Sequence, residues 1–541
     1  MKTYSALLIL ALCPVLAAAP TTLPASLRTR IEGARSPALH WPDWHEHRTE
    51  VLAFYRLLDG HLAWSQGGIP TGQARALAAR LAAADLKGLR ASDYDGDRWT
   101  ARMAALGTEV AQEDFDVAFT VCVLRYASAL DRGRVDPVKL GQAPRGSARP
   151  GPKAAFLAEL AAATDPGARL DSLEPHFQNY VGLLAQVPRY LALAQMNLPA
   201  IPAGRNPAPG RPYPGAAALA TLLTALGDLS AEEAKGLTPG HYDAALGVAV
   251  QRFQLRHGLA PDGRLGARTL AQLNTPMAQR LDQLRLTLER WRWVALDPAQ
   301  RLIWVNLPAF NLAALAPAGE GFKWELTMPV VVGGALEHET HVLTSKVNGI
   351  VFRPQWNVPA SIVKHDILPA LRHNPRYLAR NGYELVRYYE DPGPVVPVSP
   401  KAIRALAAGK LQLRQPPGKD NALGLVKITF PNNQDLYLHD SPAKAAFART
   451  RRDVSHGCIR VQQPAELVAW ILREDPAWDL DKVKAAMAAD GPSRKVPVAA
   501  KVQVMLVYGT ATVDGAGKVY FYQDLYGDDQ ELRKALDAGY P

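Results

Sequence analysis

The chain has 541 residues, 48% of them apolar, three cysteines and a formal charge of +10. That length allows three or four domains, each with its own core, and that apolar share excludes a disordered polymer. The positive balance favours anionic partners; with no dense Lys/Arg run interleaved with aromatics, nucleic acid is set aside and acidic envelope polymers remain.

In chain order, Lys2, an apolar run of about thirteen residues at 4–16 and the small residues Ala17-Ala18-Ala19 read as a secretion signal over residues 1–19, too short to span a membrane comfortably. Pro20 hinders cleavage after Ala19 and moves the cut one or two residues earlier. The rivals are an uncleaved anchor and a lipoprotein at Cys13, the second opposed by Leu12 and Pro14 on either side of the thiol. Residues 40–205 carry Ala and Leu at helical spacing, as in Ala74, Leu77, Ala78 and Leu81. Cys122 falls among apolar helical residues and is expected in a core, and 131–137 is expected to turn. Residues 198–215 are dense in Pro and Gly and form a linker.

Residues 216–276 read as a small helical module. Leu222, Leu223 and Leu226 mark its first helix; 243–256 gives a second, with Val248, Phe253 and Leu255 toward the core. In the following turn Asp262 satisfies backbone amides with its side chain. Another helix covers 279–293. From about residue 300 the texture becomes β, with strands expected at 302–306, 325–333 and 344–352. Helical segments with many breakers follow from Pro354 to about 420. Segments 423–430 and 435–440 form a hairpin around Pro431-Asn432-Asn433, placing Leu436 and Leu438 on one face and Tyr437 and His439 on the other. Pro464 opens a helix over 465–472, and strand-like runs at 502–508 and 518–523 complete the last domain.

The chemistry gathers in Ser455-His456-Gly457-Cys458-Ile459-Arg460, nineteen residues from His439 to the thiol. A thiol is mostly protonated at neutral pH and needs a neighbouring base or cation to become a nucleophile. Gly457 admits close approach of an acyl group, and the amides of His456, Gly457 and Cys458 are candidates for holding a tetrahedral oxyanion. A zinc reading of His338-Glu339-Thr340-His341 fails because the helical motif needs histidines four apart. A papain-like protease fails because no Cys-Gly-Ser-Cys-Trp stretch precedes a distant histidine.

His439, the gap and the hexapeptide resemble the signature of the L,D-transpeptidases of the YkuD family, in its large periplasmic branch. Asp93-Tyr94, Leu124-Arg125-Tyr126-Ala127 and 131–137 are similar to that branch's scaffold. Val250-Gln251-Arg252-Phe253-Gln254, Gly258-Leu259, Asp262-Gly263, Gly266 and Thr269 resemble a three-helix peptidoglycan-binding domain, against which stands a helical spacer that binds nothing. The resemblance implies a multidomain α+β chain: a helical scaffold at 40–205, the peptidoglycan-binding module at 216–276, a helix rejoining the scaffold at 277–298, and a β-rich catalytic domain at 300–541 with a helical capping insertion at about 354–420.

It also implies roles. Cys458 is the nucleophile, and His439 its base or its imidazolium partner. The backbone carbonyl of Tyr437 orients the ring. Ser455, His456 and Gly457 support the site. Arg460 grips a substrate carboxylate or forms an internal salt bridge, and Trp356 stacks on substrate or fills a core. Lys444, Arg449, Arg451 and Arg452 steer anionic stems or coat a loop. No cofactor and no metal is called for. The implied reaction joins peptidoglycan tetrapeptide stems, donor and acceptor, in 3–3 cross-links in the periplasm, with carbapenem-class β-lactams as inhibitors. A carboxypeptidase or endopeptidase, a lipoprotein-attaching enzyme with the same acyl-enzyme, and a non-catalytic wall-binding protein stay open as alternatives.

Overall fold

The computed structural model describes residues 23–143, 151–203, 207–319, 321–335, 338–389 and 394–540; the expected signal at 1–19, with Cys13, lies outside them. Among the described residues no helix is long and apolar enough to cross a membrane. Helix α1 (Glu109–Arg132) is the axis of the N-terminal region, buried on nearly every side from Phe115 to Leu130. Thr108 caps it, accepting from the Ala111 amide at 3.2 Å. A helix buried all round must satisfy its polar side chains internally. Asp116 accepts from the Tyr55 hydroxyl and the Ala63 and Trp64 amides at 2.8–2.9 Å, and Arg125 pairs with Glu46 at 2.7 Å. Cys122 is buried in the same core, and burial pushes its thiol up. Helix α2 (Gln178–Gln195) ends this region.

The next module holds α3 (Ala216–Leu226), α4 (Ala244–Arg256) and α5 (Ala267–Leu273). On α4 the buried stripe is Leu246, Ala249, Val250 and Phe253, a 3.6-residue repeat. Val248 and Leu255, expected toward the core, lie on the opposite side and are exposed. Gln254 ties the closing turn together: its Nε2 donates to Asp262 Oδ1 at 2.8 Å and Thr269 Oγ1 at 3.1 Å, and its Oε1 accepts from the Gly263 amide at 2.8 Å. The Arg264 amide donates to Asp262 Oδ1 at 2.9 Å. Helix α6 (Met277–Trp293) then packs along α2; Trp291 Nε1 donates to Asn179 Oδ1 at 3.1 Å and Arg285 pairs with Asp85 at 2.7 Å.

The C-terminal region is built on an eleven-stranded sheet. Its strands are β1 (Arg301–Asn306), β2 (Asn311–Ala318), β3 (Gly321–Gly333), β4 (Leu343–Lys346), β5 (Gly349–Phe352), β6 (Val426–Thr429), β7 (Leu438–His439), β8 (Asp453–Ser455), β9 (Ile459–Val461), β10 (Arg494–Pro497) and β11 (Val502–Val507). The order is β10-β5-β6-β7-β9-β3-β2-β1-β11-β4, with β8 pairing β3 beside this path. The single strand expected over 344–352 is two, β4 and β5, because Val347 and Asn348 bridge to different partners: the Val347 amide to Val502 O at 2.9 Å and the Asn348 amide to Thr429 O at 3.0 Å. Helix α7 (Pro464–Leu472) covers one face, where Leu467, Val468 and Ile471 join a core with Ile350, Val426, Leu438 and Ile459. Between β5 and β6 lies the insertion. It is helical only in part: Trp356–Asn357, Glu384–Val386 and Gln412–Gln415 form a three-stranded sheet, closed over a core that includes Ile362, Leu371, Leu385, Leu406 and Leu413.

Arg256 and Asp228 form an ion pair with side chains 3% and 0% exposed, Asp228 Oδ1 accepting from Arg256 Nε at 2.7 Å. Asp228→Ala strands a buried guanidinium, and the expected loss is about 3–5 kcal/mol, read as a lowered thermal unfolding transition of the full-length protein.

Candidate active site

Strands β6, β7 and β9 place the reactive side chains by register. Antiparallel β6–β7 pairs Lys427 with His439, and parallel β7–β9 pairs His439 with Arg460 and Leu438 with Ile459. Side chains alternate along a strand and paired positions share a face. Lys427, Tyr437, His439, Cys458 and Arg460 therefore rise from one face, while Ile428, Leu438 and Ile459 go into the core below. The turn before β7 is held by Asn432, whose Oδ1 accepts from the Gln434 and Leu436 amides at 3.0 and 2.9 Å.

The Cys458 turn is pinned by two side chains, Ser455 and Thr340. Ser455 Oγ donates to Cys458 O at 2.7 Å and accepts from the Gly457 amide at 3.3 Å. Thr340 Oγ1 donates to Gly457 O at 2.6 Å and accepts from the Gly333 amide at 2.9 Å. Gly457 has φ +107, a conformation that favours glycine. At Gly333 a Cβ would sit 1.8 Å from His338 O, so the 338–340 strap crosses the end of β3 only because that position has no side chain.

His439 is buried, and its Nδ1 lies 2.5 Å from Asp440 O. A carbonyl only accepts, so Nδ1 carries the proton and Nε2 the lone pair. Burial first, and the Arg460 charge second, lower its pKa to about 3. The Cys458 thiol donates to Asp435 O at 3.6 Å, and burial raises its pKa. The Tyr437 hydroxyl sits against the sulfur and works the other way, favouring the thiolate; burial keeps that phenol protonated, hence a donor. Lys427 Nζ lies over the Tyr437 ring, 3.6 Å from its centroid. At rest the pair is thiol and neutral imidazole, not thiolate and imidazolium.

Several expectations change here. The Tyr437 carbonyl does not orient the histidine, because it accepts the Ile459 amide at 3.1 Å as part of the sheet; the Asp440 carbonyl takes that place. Asp440 is itself fixed, its carboxylate accepting from the Leu425 and Ser441 amides at 2.9 and 2.7 Å and from Lys444 at 2.6 Å. The Gly457 amide faces Ser455 Oγ and is not a free oxyanion donor. His456 points away from the sulfur: its Nε2 meets Asp366 Oδ2 of the insertion at 2.9 Å, and its ring packs on His338 at 4.5 Å. Arg460 forms no internal salt bridge among the described residues, and its buried Nε has no partner. Trp356 packs within the insertion, 6.2 Å from the Tyr383 ring. Arg451 pairs with Asp453, and Arg452 Nε donates to Val330 O at 3.2 Å, so neither is a free steering charge. Lys427, Thr340, Asp366 and Asp440 were not singled out in the sequence.

Three domain families match in order along the chain: the Scaffold domain over 49–186, a putative peptidoglycan binding domain over 214–273, and the YkuD L,D-transpeptidase catalytic domain over 300–498. The C-terminal region thus matches the catalytic domain of the YkuD L,D-transpeptidases. A putative L,D-transpeptidase of Haemophilus influenzae is 29% identical over 236 residues, spanning 43% of this chain and 45% of that protein. Among solved structures, the L,D-transpeptidase of Xylanimonas cellulosilytica overlaps 57% of this chain and 99% of its own at 16% identity and a TM-score of 0.17. A fused amidase/peptidase/peptidoglycan-binding-domain protein of Clostridium acetobutylicum overlaps 54% and 95% at 12% identity and 0.15. These two overlaps are too loose to carry a structural argument.

A half-buried thiol whose pKa is raised, on the same face as a neutral imidazole, has a definite titration. Thiolate is scarce at pH 7 and grows about tenfold per pH unit. Alkylation of Cys458 by iodoacetamide, followed by mass spectrometry, is expected to climb from pH 6 to pH 9 with no inflection near 6.5; a plateau reached below pH 7 would mean a resting ion pair.

Proposed function

We propose that this chain is an L,D-transpeptidase that forms 3–3 cross-links between peptidoglycan tetrapeptide stems through a Cys458 thioester. The observation that carries the reading is the placement of His439 and Cys458 on one face of adjacent strands, with Nδ1–H held by the Asp440 carbonyl so that the Nε2 lone pair is available. The thiol leaves the Asp435 carbonyl, and Nε2 takes its proton as the sulfur attacks the carbonyl between the L-centre of diaminopimelate and the terminal D-Ala. The C–S bond forms, the C–N bond breaks, and Nε2–H protonates the departing amine. The side-chain amine of a second diaminopimelate then attacks the thioester and its proton passes to Nε2. The C–N bond forms, the C–S bond breaks, and the proton returns to sulfur. The amides of His456 and Cys458 are the remaining candidates for the oxyanion, since that of Gly457 is taken. Arg460, half-buried with an unpartnered Nε, suits a substrate carboxylate.

The match to a putative peptidoglycan binding domain supports the same substrate; work in the periplasm and inhibition by carbapenems through the same acyl-enzyme belong to this proposal. In purified tetrapeptide muropeptides the wild type is expected to yield dimers; trimmed monomers instead would make the enzyme a carboxypeptidase. Cys458→Ala is expected to abolish cross-linking and the carbapenem adduct while wall binding persists, and full activity in that variant would end the nucleophile assignment. His439→Gln is expected to slow acylation roughly 10²–10⁴-fold.

A further inference from the structure

Among the described residues, two cations on the face that carries His439 and Cys458 lack a carboxylate. Lys427 on β6 and Arg460 on β9 stand on either side of His439 in one row of the sheet, their backbones about 10 Å apart, two strand spacings. Both are half-buried, and among the described residues neither makes an ion pair. Lys427 Nζ rests on the Tyr437 ring at 3.6 Å, and Arg460 Nε is buried with no acceptor. The exposed Asp435 carboxylate is close enough to be felt by Lys427 but does not pair with it. The more deeply buried Arg125, Arg134, Arg256 and Arg290 each have a carboxylate. Burying a cation is costly without an anion; here the charges of both cations reach the Cys458 sulfur. An anion suited to both cations would therefore lie where the acyl group must bind.

We infer that Lys427 and Arg460 together hold the free carboxylate of the residue that leaves, so that the site exchanges only a C-terminal residue. The inference rests on the transpeptidase reading of the same site. A terminal carboxylate stands one residue step, about 3.8 Å, beyond the scissile carbonyl, so an anion bound beside the sulfur belongs to the leaving residue. Lys427 supplies a point charge and Arg460 a planar fork. An internal peptide bond offers no such anion and leaves both cations stranded.

The test uses the full-length enzyme with two tetrapeptide donors, one ending in a free carboxylate and one in its amide, and follows release of the terminal residue by mass spectrometry. Wild type is expected to prefer the free acid by about 10- to 150-fold in kcat/KM, the effect of a charge-assisted hydrogen bond. Lys427→Met is expected to shrink that preference through a raised KM for the acid, with the amide little affected, and Lys427→Arg to restore it. Retained Cys458 alkylation in Lys427→Met shows that the fold is intact, and Arg460→Gln is expected to give the same pattern. Equal use of both donors by wild type overturns the inference. So does an equal fall with both donors in Lys427→Met, which makes the lysine an aid to the thiolate instead. Turnover of neither donor by wild type is the separate result that removes the transpeptidase reading, and this inference with it.

Discussion

The hydrogen bond from His439 Nδ1 to the Asp440 carbonyl decides which ring nitrogen can accept a proton, and much of the C-terminal region holds that one bond in place. The carbonyl sits one residue beyond β7, so it moves only if the strand does. The strand is clamped between β6 and β9, and the Asp440 carboxylate takes the amides of Leu425 and Ser441. A carbonyl donates nothing and cannot be protonated at ordinary pH, so it fixes the tautomer without adding a charge that would compete with the imidazole.

The thiol is arranged differently. Its turn is short and irregular, and its shape comes from the neighbouring Ser455 and from segments distant in sequence: Thr340 from the strap after β3 and the glycine pair at 333–334, where the Gly334 amide donates to Ser455 O at 3.1 Å. The insertion reaches the same turn through Asp366 and His456. Asp366 lies in a π-helical turn, Val363–Ile367, a geometry often found at functional sites. The insertion and the residue two places before Cys458 are thereby in direct contact.

Much of this was legible from local chemistry. The hexapeptide, the spacing to His439 and the hairpin around Pro431-Asn432-Asn433 are properties of short stretches. Elements that depend on distant partners were not. Strand β2 is rich in Ala and Leu, residues without strong β preference, and is a strand because β1 and β3 flank it. Val248 and Leu255 are apolar yet exposed, since only the 3.6-residue phase separates them from Leu246 and Phe253. The orienting carbonyl leaves no trace in residue type, so the sequence pointed to Tyr437, whose carbonyl the sheet claims, and the Asp440 carbonyl emerged only from the structure. Lys427 was invisible because a lysine in a strand usually faces water; only the register sets it beside His439.

Strand β11 (Val502–Val507) lies beyond the stretch that matches the catalytic family, yet it runs between β1 and β4 and bonds to both. A fragment ended at residue 498 would open two raw sheet edges lined by Leu302, Ile303 and Leu343, an invitation to intermolecular strand addition. The smallest autonomous body of this sheet is consequently longer than the homology alone would draw it.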